Sequence, residues 1–189
     1  KLDSNGNFVW AQSLGSAGPE YSYDITFDIN GFLYLTGGFH NTIDFDSGAG
    51  SFELTSNGDS DVFILKLDLN GEFIWAKGIG SSSSQYGNGI VTDSLGNVYT
   101  TGYFSFNPVD FDPGVDEYIL NCNGSNDIFI QKLDSNGNFV WAKSIGSNGS
   151  DISNSISIAT SGEICVTGFF QNTVDFDPSS DMFQLSSNG

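Results

Sequence analysis

Short apolar runs alternate with clusters of Gly, Asn, Asp and Ser along the whole chain. Val62–Leu65, Phe73–Trp75, Ile90–Thr92, Val98–Thr101 and Ile164–Thr167 are β-branched or aromatic stretches of strand length, each bounded by such clusters. No stretch repeats apolar residues at helical spacing, so the pattern predicts an all-β chain. Asn5-Gly6, Asn70-Gly71 and Asn136-Gly137 fall between strand runs, where two residues with positive φ would close a tight hairpin. Asn30-Gly31 and Leu95-Gly96 separate a second pair of runs. Phe8 and Trp10 point one way along a strand while Val9 and Ala11 point the other, so both faces must be covered. Sheets stacked on one another around an axis meet that demand.

The runs recur as a period. Lys1–Ala11 reads KLDSNGNFVWA, Lys66–Ala76 reads KLDLNGEFIWA, and Lys132–Ala142 repeats the first segment letter for letter. Trp10, Trp75 and Trp141 mark one position in three copies, and Gly37, Gly102 and Gly168 mark a second, always 27 residues later. Copies one to three are taken as 1–65, 66–131 and 132–189, the third incomplete, on a period of about 65 residues with one residue inserted near Phe106–Pro108. A copy reads as four main strands, near Ile90–Thr92, Val98–Phe104, Asp127–Leu133 and Phe139–Ser144. The third copy lacks the last of the strands in this phase, the one equivalent to Asp61–Leu65. Flanking sequence or another chain is expected to supply it, since an open strand edge invites pairing.

The pattern D-x-F-[IL]-x-K-L-D-x-N-G-x-[FVI]-x-W-A, followed by a Gly-rich stretch and D-x-x-G-N-x-Y-x-T-G, runs through Asp61–Ala76 with Asp93–Gly102. It returns at Asp127–Ala142 with a weaker match over Thr160–Gly168. This resembles the SBBP-type bacterial β-propeller repeat. The resemblance implies β-propeller-like blades on secreted or surface-exposed bacterial proteins, and it brings no catalytic residues. The copies are longer than a minimal blade, and three blades do not close a propeller, which takes about four to eight. A larger ring, array or filament is therefore expected.

Composition narrows the function. The chain carries 23 carboxylates against five lysines, for a formal charge of −18. Nucleic acid would be repelled, whereas cations would be attracted. No apolar stretch is long enough for a membrane-spanning helix, so no membrane insertion is expected. Abundant Ser, Asn and Gly point to an extracellular or cell-surface location. Cys122 and Cys165 stand at non-equivalent places and are not expected to pair; Cys165 replaces Tyr34 and Tyr99 and reads as a small core substitution.

Three groups are candidates for chemistry. The D-F-D elements place Asp44 with Asp46, Asp110 with Asp112, and Asp175 with Asp177 at i and i+2 ahead of a turn. Such carboxylates would offer hard oxygen ligands to calcium, or would cap the turns. His40 is the only imidazole and stands beside Asn41 in a loop, which reads as a surface residue. Tyr21, Tyr23, Tyr86, Phe104 and Phe106 read as core or inter-sheet packing; exposed, they would make a sugar-stacking platform. No nucleophile elbow, zincin motif or phosphate loop occurs.

The sequence therefore predicts a non-enzymatic, extracellular structural repeat module that joins copies of itself or flanking repeats, possible cations neutralising its loops. The alternatives are a lectin-like or adhesive module for cell-surface glycans and, further off, a glycoside-active enzyme using paired acids.

Overall fold

The computed structural model describes residues 1–15 and 17–188; Gly189, the last residue of the third copy, lies outside them. Every regular element is a strand. β1 (Tyr21–Phe27), β2 (Leu33–Phe39), β3 (Thr42–Asp44), β4 (Glu53–Thr55), β5 (Asp61–Leu67) and β6 (Phe73–Ile79) come first. β7 (Gln85–Thr92), β8 (Val98–Ser105), β9 (Val109–Asp110), β10 (Ile119–Leu120), β11 (Asn126–Leu133) and β12 (Phe139–Ile145) repeat that order. β13 (Ile152–Ile158), β14 (Ile164–Phe169), β15 (Thr173–Asp175) and β16 (Gln184–Ser186) begin it again.

The strands pair antiparallel into a first sheet, β1-β2-β5-β6, a second, β7-β8-β11-β12, and a third consisting of β13 and β14. The segment after the second strand of each sheet folds back as a small hairpin, β3 with β4, β9 with β10 and β15 with β16. A left-handed residue opens each one: Asn41 (φ 58°), Phe106 (φ 54°) and Asn172 (φ 64°). The inserted residue of the second copy falls in this connection, between β8 and β9. The period can be cut anywhere, and the sheets cut it between β6 and β7.

The hairpin turns differ from the expected pair of positive-φ residues. Only the glycines are left-handed, Gly71 at 87° and Gly137 at 80°, while the preceding asparagines are not. In Asp68–Glu72 the Gly71 N–H donates to the Asp68 carbonyl (3.0 Å), and Asp68 Oδ1 accepts from Asn70 N and Glu72 N, each at 2.8 Å. The aspartate holds a type I turn, so the left-handed conformation falls on the next residue alone. Asp3, Asp28, Asp93 and Asp134 do the same in their turns.

The recurring glycine has its own cause. β1, β7 and β13 each carry a bulge, between Ser22 and Asp24, Gly87 and Gly89, and Ser153 and Ser155. A bulge bends the strand and brings its backbone onto the partner. A Cβ on Gly37, Gly102 or Gly168 would lie 1.7, 1.8 or 2.1 Å from the carbonyl oxygen of Tyr21, Tyr86 or Ile152.

The sheets stack face to face. Tyr34, Val62, Ile64 and Ile79 of the first sheet meet Ile90, Phe104, Phe129 and Leu133 of the second in one buried layer. Backbone bonds register the stack: Gln85 N donates to Ser60 O (2.7 Å), and Asp151 N to Asn126 O (2.9 Å). These extend the parallel bridges Ser60↔Ser84 and Asn126↔Ser150. Asp24 Oδ2 accepts from Ile90 N at 2.8 Å, joining β1 to β7.

Candidate functional site

The D-F-D aspartates sit where the first strand of each small hairpin ends. Asp44 Oδ1 accepts from Asp46 N (3.0 Å) and Phe52 N (2.8 Å), and Asp46 Oδ1 accepts from Gly48 N (2.9 Å). Asp110 Oδ1 accepts from Asp112 N (3.0 Å) and Tyr118 N (2.8 Å), with Gly114 N on Asp112 Oδ1 (2.7 Å). Asp175 and Asp177 repeat the set with Asp177 N, Phe183 N and Ser179 N. The N–H groups of Phe52 and Asp46 hold the Asp44 carboxyl below its ordinary range, and Ser179 does so for Asp177. The central Phe45 and Phe111 are buried, so the pair straddles a core anchor. One oxygen of each carboxylate thus already serves the loop. Among the described residues no three acidic, His or Cys side chains come together as a metal ligand group. The two carboxylates of a pair fall short of the six to eight oxygens that calcium takes.

A second set of carboxylates opens the repeat pattern, but the sequence reading did not single them out as site residues. Asp61 and Asp127 begin equivalent strands and are buried, each with Oδ2 accepting from an asparagine, Asn57 N (2.9 Å) and Asn123 N (3.0 Å). Oδ1 of both has no hydrogen-bond partner among the described residues. Each lies against a glycine, Gly80 or Gly146, where a Cβ would meet the carboxylate at 1.9 or 2.4 Å. Burial pushes Asp61 up to about 6. Burial also raises Asp127, and the charge of Asp151 adds to it. Asp151 is itself buried and accepts from Ser147 N (2.8 Å) and Gln171 N (2.9 Å). These groups tie loops to sheet starts.

His40 is largely covered, with Nδ1 2.7 Å from the Pro19 carbonyl and Nε2 3.7 Å from Asp59. Both cysteines are free thiols. Cys165 is exposed rather than core: Tyr34 and Tyr99 at its position are covered by the next sheet, and no described sheet covers this face of the third.

The first sheet presents an uncovered apolar face. A groove of about 620 Å³ is lined by Ile25, Leu33, Leu35, Phe63 and Leu65 among others, with Trp10 and Leu14 at its rim. The equivalent face of the second sheet is filled by the first. The 1–11 segment reaches the first sheet as the first sheet reaches the second. Lys66 Nζ and Trp75 Nε1 donate to the Ser135 carbonyl at 2.9 and 3.3 Å. Lys1 Nζ and Trp10 Nε1 donate to the Leu69 carbonyl at 2.6 and 3.2 Å. Burial lowers the Lys66 ammonium, which also lies 4.4 Å from the Phe32 ring centre.

The aromatic candidates divide. Phe104 is fully buried in the inter-sheet layer, and Phe106 is 68 % exposed and stands apart in a loop. Tyr21, Tyr23 and Tyr86 come together, joined by Tyr103, which the sequence reading did not include. Tyr21 and Tyr23 are 44 % and 51 % exposed, so they are not core.

With this geometry in place, two comparisons become informative. The chain is 28 % identical over 169 residues to an uncharacterized WD repeat-containing protein of Acanthamoeba polyphaga mimivirus, the match covering 81 % of this chain and 12 % of that relative. This chain therefore spans about an eighth of that protein's length. Residues 74–103 match the family model described as the SBBP beta-propeller repeat. That segment runs from β6 of the first sheet through β7 and β8 of the second, crossing the junction between them. Residues 74–103 are thus similar to the SBBP beta-propeller repeat, and they lie within a stack of like all-β sheets.

Proposed function

We propose that the protein is a non-enzymatic structural repeat module that extends by stacking further repeat sheets on the open face of the first. One observation carries this reading: the Lys1 and Trp10 bonds to the Leu69 carbonyl reproduce the Lys66 and Trp75 bonds to the Ser135 carbonyl. Residues 1–11 thus occupy the place of an outer strand of a sheet that would fill the groove. The partner is a flanking repeat or another copy of this chain, in a ring or a filament completed by strands between copies. The acidic, Ser- and Asn-rich surface fits an exported location at the cell surface. In this reading calcium screens the D-F-D loops from outside rather than filling a cage.

Sedimentation of the 189-residue chain over a concentration series tests the stacking. Reversible association is expected, and Ile25→Glu with Leu35→Glu should abolish it. A chain that stays monomeric at every concentration would overturn stacking between copies, and a double variant that associates equally well would overturn the groove as the joint.

A further inference from the structure

We propose that Tyr21, Tyr23, Tyr86 and Tyr103 form a platform that binds a neutral carbohydrate at the junction of the first and second sheets. Tyr86 and Tyr103 are directly opposite across the β7–β8 ladder, with ring centres 5.5 Å apart. Tyr21 and Tyr23 reach them from β1 of the neighbouring sheet. Their two rings are nearly parallel, 12° between planes at 5.9 Å, and Tyr86 meets Tyr23 edge-on at 6.1 Å.

Backbone features build the cluster. Tyr23 is the extra residue of the β1 bulge, outside the ladder pairing that runs from Ser22 to Asp24. Bulges re-aim side chains in this way. Gly38, opposite Tyr21, leaves room for the Tyr86 ring, since a Cβ there would lie 2.4 Å from Tyr86 Cδ1.

Repeat packing does not account for it. A structural duty would recur at each junction, as the Gly37, Gly102 and Gly168 contacts do. Here the position of Tyr21 and Tyr86 is Ile152 in the third sheet, that of Tyr23 is Asn88 and Asn154, and that of Tyr103 is Gly38 and Phe169. Only one junction carries the four rings.

The chemistry selects the ligand. Burial beside Tyr86 and Tyr23 raises Tyr103 to about 12, so its hydroxyl keeps its proton and remains a donor. Tyr21 and Tyr23, each about half exposed, set phenol rings and hydroxyls at the surface, which match a sugar, whose C–H face meets the negative π surface while its rim hydroxyls bond to the phenols. A chain of net charge −18 disfavours anionic ligands. A proline-rich peptide is a poorer fit, because its ridge recurs every three residues, about 9 Å, against ring spacings of 5.5 to 6.5 Å. The platform stands apart from the stacking reading, because it lies at a junction already formed within the chain.

Saturation-transfer NMR on the full chain tests it, with maltohexaose, cellohexaose and chitohexaose as probes and decaproline as the competing class. Tyrosine-dependent transfer to at least one oligosaccharide is expected. Tyr23→Ala should weaken it about tenfold or more and Tyr86→Phe, which keeps the ring, by a smaller factor. An unchanged melting midpoint would show that Tyr23→Ala remains folded. Silence with all three sugars, transfer indifferent to Tyr23→Ala, or binding of decaproline alone would overturn the proposal.

Discussion

Ile25 and Ile90 occupy the same position on consecutive first strands, yet Ile25 is 55 % exposed and Ile90 only 1 %. The difference is the sheet that covers one and not the other. Truncating a covered isoleucine leaves a cavity as well as removing apolar contact, about 2 to 5 kcal/mol. Ile90→Ala is therefore expected to cost several kcal/mol in urea unfolding and Ile25→Ala less than about 1 kcal/mol. If a further sheet is stacked on the groove, Ile25→Ala rises toward the cost of Ile90→Ala.

Asp61 makes stability depend on pH. Its folded-state pKa, about 6, lies above the ordinary 3.8, so the folded chain binds the extra proton. Between those values stability falls as pH rises, and the penalty is complete above the folded value. The urea midpoint should thus climb as pH is lowered from 7 toward 5. Asp61→Asn, which puts an amide donor where Oδ1 has no partner, should raise the midpoint at pH 7 and flatten this part of the profile. A midpoint that drops over the same interval would contradict the assignment.

Gly102 tolerates no side chain. With a carbonyl oxygen 1.8 Å from where its Cβ would be, Gly102→Ala must push β7 off its bulge. A loss of about 3 kcal/mol or more is expected, read as a large drop in the thermal midpoint. Gly6→Ala, with no atom near but a φ of 82°, should cost about 1 kcal/mol.

Loop closing and metal binding by the D-F-D pairs are separable. Asp110→Ala removes the acceptor for Asp112 N and Tyr118 N and should destabilise by about 1 to 2 kcal/mol with or without chelator. Calcium should raise the wild-type midpoint gradually, with magnesium nearly as effective, as expected of screening. A saturable rise specific to calcium would instead show a built site.

Much of this fold was legible in the residues. The period, the four strands per unit and the place of the insertion follow from alternation and from segments repeated nearly letter for letter. The turns were half legible: Asn-Gly marked the place, but the aspartate two residues earlier decides which residue becomes left-handed. The small hairpins were missed because Val109–Asp110 and Ile119–Leu120 are too short to leave an alternating pattern. Sites were harder to see. Asp61 and Asp127 head the repeat pattern, but their burial against Gly80 and Gly146, which follow the neighbouring strand, shows only once the strands are paired. Tyr103 joins Tyr23 through a neighbour in another sheet, a relation with no trace in local sequence. Cys165 was misplaced because equivalence in sequence does not guarantee an equivalent neighbour.

The lysine and tryptophan that link one sheet to the next both end on a main-chain carbonyl, that of Leu69 in one case and Ser135 in the other. The receiving side chain is free to change, because nothing in the joint reads its identity. A joint of that kind leaves the receiving position open to variation from unit to unit, as the leucine at 69 and the serine at 135 show.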